Sequence, residues 1–191
     1  PRFDPHVGGA ERWTWDFAAR LIEHRHAVHV VAANFSPATR ECMPSLICHK
    51  VPAAPVGIFR SRFAFAEAAA EMLRNLDLDV IHDMGHGWCG NVFMPHGGTR
   101  AGSFRQNVQS SAPWLRRCKE LTWGILPRYR MFRELESRQY VTDGSRLFVA
   151  LSQMVRRDMS RFHGLPPDLV RVVYNGIDTA RFSPSHRAEH R

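Results

Sequence analysis

The chain has 191 residues, of which 44% are hydrophobic and 23% are charged, and these proportions exclude a disordered chain. No apolar run reaches the roughly 18 residues that mark a membrane-spanning helix, and no signal-peptide pattern opens the sequence. The four cysteines lack C-x-x-C spacing, so we expect reduced thiols in a cytoplasmic protein.

The net charge of +8 is confined to one segment. Residues 100–161 hold 13 Lys and Arg against 5 Asp and Glu, a difference of +8 that equals the net charge of the whole chain. Such a segment could contact nucleic acid, an anionic membrane or a phosphorylated substrate, or be a solvated helical face. Basic residues interleaved with aromatic ones are the candidates for facing a membrane: Arg116, Arg117, Lys119, Arg128, Arg130 and Arg133.

Strand-like and helical patterns alternate along the chain. Short apolar runs predict strands at 27–33, 46–51, 79–82, 91–94, 146–151 and 169–174. Helical spacing of apolar residues predicts helices at 10–25, 59–76, 112–126, 128–141 and 152–162. Pro127 should end or kink the third of these helices, and Ser152 should cap the last. The alternation predicts a Rossmann-like, doubly wound α/β domain with a mostly parallel sheet.

The two ends of the chain do not fit the alternation. Residues 1–5 are expected to form a loop that leads to the first helix, although a Rossmann-like domain should begin with a strand. We therefore expect a few residues to precede Pro1. Residues 1–182 are expected to form the domain, and the polar residues 183–191 are expected to begin a linker to a second domain.

Two glycine-containing turns are the candidate binding elements. Gly8 and Gly9 precede the first helix, where free N–H groups attract phosphate, although a plain turn would have the same sequence. The second turn, Met94 to Arg100, follows a predicted strand and should lie at the carboxyl edge of the sheet, where α/β domains bind ligands. In it, His96 could face a substrate or be structural, and Arg100 could pair with an anion.

The third candidate is a cluster of residue types that can bind zinc, namely His82, Asp83, His86 and Cys89. Their spacing crosses a strand end and a loop broken by glycines, and no matching second half is evident. We therefore expect no metal, and we expect the cluster to be a loop beside His96.

The segment Tyr174 to Pro184 resembles the NG-hydrophobic-D-x-x-x-F-x-P segment that closes the N-terminal domain of family-four glycosyltransferases. Asp4 to Glu11 resembles the glycine loop near the start of the same family. The 79–82 strand and the Pro95-His96-Gly97 turn follow in the expected order. The helix from Arg128 to Glu136 is similar to one in bacterial lipopolysaccharide core glucosyltransferases.

The resemblance implies the N-terminal, acceptor-side half of a GT-B fold and transfer of a sugar from a nucleotide sugar, expected to be a UDP-sugar, with retention and without a metal. By position, Gly8 and Gly9 would approach the donor phosphates and the acceptor, and His96 would face the transferred sugar. Glu11, Gly97 and Arg100 are the candidates for binding a glycan or glycolipid acceptor. The donor-binding half lies outside this chain, so the chain alone is expected to be inactive.

Two alternatives remain open at the level of sequence. One is a non-catalytic binding module that uses the basic segment, for instance on nucleic acid, although no nucleic-acid motif is present and nucleic acid is not the expected partner. The other is a GT-B-like nucleotide-sugar epimerase. The leading hypothesis places the protein in the cytoplasm, at the inner face of the cytoplasmic membrane.

Overall fold

The computed structural model describes residues 1–52, 58–142, 146–177 and Thr179. All strands in this part of the chain are short: β1 (Arg2–Phe3), β2 (His29–Ala32), β3 (Asn34–Phe35), β4 (Ile47–Lys50), β5 (His82–Asp83), β6 (Val92–Phe93), β7 (Leu147–Ala150) and β8 (Val170–Val172). The helices are α1 (Gly9–Glu23), α2 (Thr39–Cys42), α3 (Ile58–Arg74), α4 (Arg100–Gln109), α5 (Pro113–Ile125), α6 (Pro127–Gln139) and α7 (Gln153–His163), with a 3-10 turn at Pro167–Leu169.

Every described strand pair is parallel, as predicted. β5, β6, β7 and β8 lie in that order in one sheet, β2 pairs with β4, and β1 pairs with β3. β2 and β3 are one run of chain interrupted at Ala33, whose N–H donates to the carbonyl of Pro1 (3.0 Å). Hydrogen bonding does not run across the whole sheet, and β2 and β5 are not paired with each other in the described structure.

Helices cover both faces of this sheet. In and next to β2, Val28, Val30 and Ala32 belong to the apolar cluster that contains residues of α1. Val31 and Ala33 pack in the cluster formed with α3. Because successive residues of a strand point to opposite faces, α1 and α3 lie on opposite sides of β2. This arrangement confirms the doubly wound α/β class that the sequence predicted.

The four-stranded sheet has its own core. Phe93 and Phe148 from adjacent strands pack with Tyr140 at the end of α6 and Met159 of α7. Two features fix α7 over this core. The Ser152 hydroxyl accepts a hydrogen bond from the Val155 N–H (3.2 Å), as the cap prediction required, and Gly164 ends the helix in the left-handed conformation (φ +67°).

Several features differ from the sequence prediction, which also missed the short elements β3 and α2. Residues 1–5 were expected to be a loop, yet Arg2 and Phe3 form a parallel strand, because β3 offers backbone partners that no local pattern reveals. The strand expected at 79–82 is formed at His82–Asp83. The helix α4 was missed, because its sequence is too polar for an apolar stripe, and it begins at the Thr99 hydroxyl, which accepts from the Gly102 N–H (3.0 Å).

The helix predicted at 112–126 forms as α5, and Pro127 ends it as expected by becoming the first residue of α6. Its apolar stripe, however, does not enter a core. Trp114, Leu121 and Ile125 are 74%, 65% and 70% exposed. None of the helices in the described ranges is long and apolar enough to cross a bilayer. The expected domain boundary at 182–183 lies outside the described residues.

We predict that His163 makes stability depend on pH. Its ring stacks on Tyr140 (3.8 Å between centroids), and burial lowers its pKa to about 4. An unfolded histidine takes up its proton near pH 6.5, so the unfolded chain binds the extra proton as pH falls from 6.5 towards 4. The free energy of unfolding should fall over this window by up to roughly 3 kcal/mol, less whatever attraction Glu136, 3.8 Å away, offers the charged ring.

The measurement is urea unfolding at pH 7, 6 and 5 for the parent chain and for His163→Phe, which keeps a flat ring on Tyr140. Subtracting the two curves removes the contribution of the other histidines. His26→Phe, a change at an exposed histidine, is the control. A difference that does not vary with pH would contradict the assignment.

Candidate functional site

The first glycine turn forms the start of α1. Gly8 has an extended backbone and precedes the helix, which begins at Gly9. A Cβ atom at position 8 would lie 2.7 Å from Oε2 of Glu11, so the Glu11 side chain folds back over Gly8. The first N–H groups of a helix have no partner within it and attract negative charge. The turn therefore presents backbone donors beside one carboxylate.

The second glycine turn holds His96 against α1. Pro95 accepts a hydrogen bond from the Gly98 N–H (3.0 Å), and Gly98 has a φ of +65°, which favours glycine. The His96 ring contacts the Trp13 ring at 4.6 Å between centroids. Trp13 in turn stacks on Phe17 (4.8 Å). The two glycine turns, distant in sequence, are thus joined by an aromatic contact.

His82 occupies the other end of the same stack. Its ring meets the edge of Phe17 at 5.3 Å. Burial lowers the pKa of His82, and the nearby His96 lowers it further. Burial also lowers the pKa of His96, opposed by Glu11. Both imidazoles are therefore neutral at pH 7, and the buried Nε2 of each has no hydrogen-bond partner among the described residues.

Asp83 holds the backbone of the loop at residues 85–87 and is not arranged to bind a ligand. Its Oδ1 accepts hydrogen bonds from the N–H groups of Gly85, His86 and Gly87 (2.9, 2.9 and 3.0 Å). The loop is also held from outside, because Gln139 donates to the carbonyls of Gly85 and Gly87 (3.3 and 3.0 Å). Arg146 adds bonds to the carbonyls of Trp88 and Gly90. Asp83, one of the four residues considered for zinc, therefore serves the loop. Within the described ranges, no group of three or more His, Cys, Asp or Glu side chains could hold a metal ion.

Positive charge surrounds the loop. Burial, and then the positive charges of the N-terminus, Arg62 and Arg100, lower the pKa of His86, although its side chain still reaches solvent. Arg100 begins α4, where its N–H donates to Oε1 of Glu136 (2.6 Å) and its guanidinium lies 4.7 Å from the Phe132 ring. Burial lowers the pKa of Arg100, and Arg62 lowers it further.

Two cavities meet at His96. The larger, about 550 Å³, is lined at this end by Glu11, His82, His86 and His96. The smaller, about 210 Å³, lies on the side of Gly97 and Gly98 and is lined also by Thr99, Ser103, Gln106, Met154, Val155 and Asp158. A neutral imidazole between two cavities can donate or accept a hydrogen bond to a hydroxyl group on either side.

The structure brings together most of the residues predicted for the site. Gly8 and Glu11 lie at the start of α1, and Trp13 of the same helix contacts His96. Gly97 lines the smaller cavity. Arg100 is close enough to His86 to lower its pKa. Trp13 and Phe17 were expected only as part of a helical stripe, and their spacing of four residues was the signal that they share a face. No sequence pattern indicated that Arg62 acts on His86 and Arg100 or that Asp158 lines the smaller cavity.

The predicted membrane-facing residues divide into two groups. Arg116 donates to the carbonyls of Ser111 and Gln109 (both 3.1 Å), and Lys119 donates to Asn107 and Ser111 (3.0 and 2.7 Å), so both fasten α5 to the end of α4. The remaining four side chains are exposed, with Arg128 lying over the Tyr129 ring at 4.5 Å: Arg117, Arg128, Arg130 and Arg133.

Comparison with known proteins agrees with this arrangement. The fold is part of a GT-B glycosyltransferase fold: it matches the crystal structure of WaaG, a glycosyltransferase involved in lipopolysaccharide biosynthesis, with a TM-score of 0.72 and 16% identity, over 94% of this chain and 45% of WaaG. The sequence matches Glycosyltransferase Family 4 over residues 7–181, and the chain belongs to that family.

A curated relative matches over a shorter stretch. A probable transglycosylase of Burkholderia thailandensis (strain E264) is 40% identical over 63 residues, which are 32% of this chain and 17% of the relative. The chain thus spans less than half the length of the proteins that it matches.

We predict that Asp83 is needed for its acceptor oxygen rather than for its charge. Asp83→Ala would leave three loop N–H groups without a partner and should lower the free energy of unfolding by roughly 3 kcal/mol. Asp83→Asn keeps one carbonyl oxygen and should cost less than half as much. Denaturant unfolding measures both. Equal losses in the two variants, or a melting temperature that rises with Zn²⁺ in the parent alone, would contradict the loop role.

Proposed function

We propose that this chain is the acceptor-side half of a retaining glycosyltransferase, which moves a sugar from a nucleotide sugar to a lipopolysaccharide, polysaccharide or lipid-linked acceptor. The observation that carries the proposal is the position of His96. It stands at the carboxyl edge of the parallel sheet, against the start of α1 and between two cavities. Ligands of open α/β sheets bind at this edge.

The surrounding groups suit the two halves of such a reaction. In transfer, the bond from the anomeric carbon to the diphosphate oxygen breaks, the acceptor hydroxyl oxygen bonds to that carbon, and the hydroxyl proton passes to the departing diphosphate. The departing diphosphate gains negative charge, which the free N–H groups of α1 at Gly9 would stabilise. His96, held neutral, would bind a hydroxyl group of the transferred sugar, and Arg100 with Arg62 would attract an anionic group on the acceptor.

His96 provides the sharpest test. In the full-length protein, hydrolysis of UDP-, GDP- and ADP-sugars should show one preferred donor, with UDP-sugars expected first. His96→Ala should lower kcat by about 100-fold or more, because a contact made close to the reacting carbon is lost. His96→Gln retains a polar group and should recover part of the loss. The anomeric configuration of the product, read by NMR, tests retention.

His24→Ala is the matched control, since His24 is an exposed histidine at the other end of α1. Unchanged turnover is expected there. A full-length protein that neither binds nor hydrolyses any of the three classes of donor would exclude the transferase. Conversion of one donor into its epimer would establish the epimerase alternative.

We assign the exposed stripe of α5 to the membrane surface. Trp114, Leu121 and Ile125 follow each other at intervals of seven and four residues and so share one helical face. Exposed arginines lie at 117 on the same helix and at 128, 130 and 133 on the following helix, α6. Each Arg near an anionic bilayer contributes about 1 kcal/mol, and each buried large apolar side chain adds about 1.5–3 kcal/mol. Together they would hold the enzyme beside a lipid-linked acceptor, at the inner face of the cytoplasmic membrane.

Vesicle sedimentation tests this surface. The chain should bind phosphatidylglycerol vesicles at low salt, with a blue shift of tryptophan emission, and bind neutral phosphatidylcholine vesicles much less. Replacing Trp114, Leu121 and Ile125 together by Ser should weaken binding at least about tenfold. Ile177→Ser removes an apolar side chain that is equally exposed (68%) but lies outside α5, and it should bind as the parent does.

Failure of the parent chain to bind anionic vesicles would exclude the membrane role. Tight, salt-sensitive binding to an oligonucleotide in its place, lost on removal of Arg117, Arg130 and Arg133, would support the binding-module alternative.

A further inference from the structure

The smaller cavity lies between two helices, α4 and α7. Ser103 and Gln106 of α4 line it, together with Val155 and Asp158 of α7. The glycine turn that holds His96 also lines it. Because α4 and α7 follow the adjacent parallel strands β6 and β7, the cavity lies at the carboxyl edge of the sheet, where open α/β domains bind ligands.

The carboxylate of Asp158 has no partner in this cavity. A Cβ atom added to Gly102 would lie 2.5 Å from Oδ2 of Asp158, so the carboxylate lies against the α4 backbone at a position that the missing side chain leaves open. It forms no hydrogen bond or ion pair with the described residues. Both oxygens of a carboxylate accept hydrogen bonds, and each offers two lone pairs. Asp158 can therefore bind hydroxyl or N–H groups of a ligand.

Uncharged polar groups surround the Asp158 carboxylate. The Ser103 hydroxyl has no hydrogen-bond partner in the described part of the chain. The Gln106 amide donates to the sulfur of Met154 (3.3 Å), which leaves its carbonyl oxygen as an acceptor. Nε2 of His96 is also without a partner among the described residues, and none of those that line the cavity is a lysine or an arginine. The cavity thus offers one carboxylate and several neutral donors and acceptors.

A ring with neighbouring hydroxyl groups suits these side chains. Two adjacent hydroxyls can each donate to one oxygen of the Asp158 carboxylate, while Ser103 and Gln106 can donate or accept. Met154 and Val155 add an apolar side against which the C–H bonds of a ring can pack. A phosphate or carboxylate group would be repelled by Asp158, with no lysine or arginine beside it in the described lining. The chemistry of the cavity therefore favours an uncharged sugar.

The size of the cavity suits a single sugar residue. Its volume is about 210 Å³, below the roughly 300–1,000 Å³ of pockets that enclose drug-sized ligands, so a whole nucleotide sugar does not fit. Gln106 and Met154 are exposed and form a rim that opens to solvent. A sugar bound here can therefore remain attached to a longer glycan or lipid, which leaves the cavity past this rim.

We propose that the smaller cavity binds one uncharged sugar residue of the acceptor, and that Asp158 holds two neighbouring hydroxyl groups of this sugar. This assignment rests on the proposed transferase function and gives the acceptor sugar its place. His96 lines both cavities, so the acceptor sugar would lie beside the histidine proposed to bind the transferred sugar. The donor diphosphate, at the start of α1, would lie on the side of the larger cavity, which Ala10 and Glu11 line.

Transfer to simple glycosides tests this subsite in the full-length protein. The probes are the methyl glycosides of glucose, mannose and galactose, and at least one should divert the donor sugar from water to itself. Asp158→Asn should lower kcat/KM for that probe by at least about tenfold, because a hydrogen bond to a charged group is lost. This loss should exceed any loss of donor hydrolysis, whereas His96→Ala should lower both. Asp168→Asn removes an exposed carboxylate outside the cavity and should transfer as the parent does.

Ser103→Leu provides an independent test. Ser103 is exposed on α4, so a leucine there should leave the fold intact and occupy the space of the bound sugar. Transfer to the probe should fall by at least about tenfold, because the leucine side chain collides with the sugar. Gln109→Leu places the same side chain at an exposed position of α4 outside the cavity, and it should transfer as the parent does.

Equal losses of transfer and hydrolysis in Asp158→Asn would overturn the subsite and leave the transferase in place. Donor hydrolysis that none of the three glycosides diverts would have the same meaning, and so would full transfer activity in Ser103→Leu. A protein that hydrolyses no donor would exclude the transferase and, with it, the subsite.

Discussion

The contact of Trp13 with His96 is the link on which the candidate site depends. β2 and β5 are not paired with each other, so strand pairing does not hold the two glycine turns together in the described structure. Instead α1 makes the connection, with Trp13 against His96 and Phe17 against His82. Aromatic contacts of this kind contribute about 0.5–1.5 kcal/mol beyond the area that they bury, and here they also set the position of a helix start relative to a histidine.

The same contacts govern the charge of the site. Stacking on α1 removes both imidazoles from water, which lowers their pKa and leaves them neutral. The positive charge near His86 then belongs to the N-terminus, Arg62 and Arg100 rather than to the histidines. Neutral His96 can bind hydroxyl groups, while the permanent charges of Arg62 and Arg100 can attract anions. The proposed sugar transfer needs both kinds of group.

The sequence predicted the fold class well because its signals are local. The β-branched runs form strands at β2, β4 and β7, and the segments with helical spacing form α1, α3, α6 and α7. The cap at Ser152 also forms, as its residue type predicts. Local patterns failed where partners come from afar. The strand at Arg2 exists because β3 lies beside it, and α4 exists because Thr99 caps it and Glu136 binds its first N–H group.

The candidate site was predictable only in part. The glycines and His96 stand out by residue type, but the part played by Asp83 depends on three N–H groups that its own loop presents. The basic segment shows the same limit. Aromatic residues at 104, 123 and 129 cluster together, while Trp114 on the same helix as Trp123 faces solvent, and the sequence alone could not separate the two.

That separation has a physical consequence for α5. A helix whose inward face is fastened by the Phe104, Trp123 and Tyr129 rings and by Lys119 can keep its orientation while its outward face remains apolar. Exposure of three large apolar side chains in one stripe costs solubility and contributes nothing to the described core. Under the proposed function, such a stripe would lie on the surface on which an amphiphilic acceptor is held, while the site lies at the start of α4, the helix to which α5 is fastened.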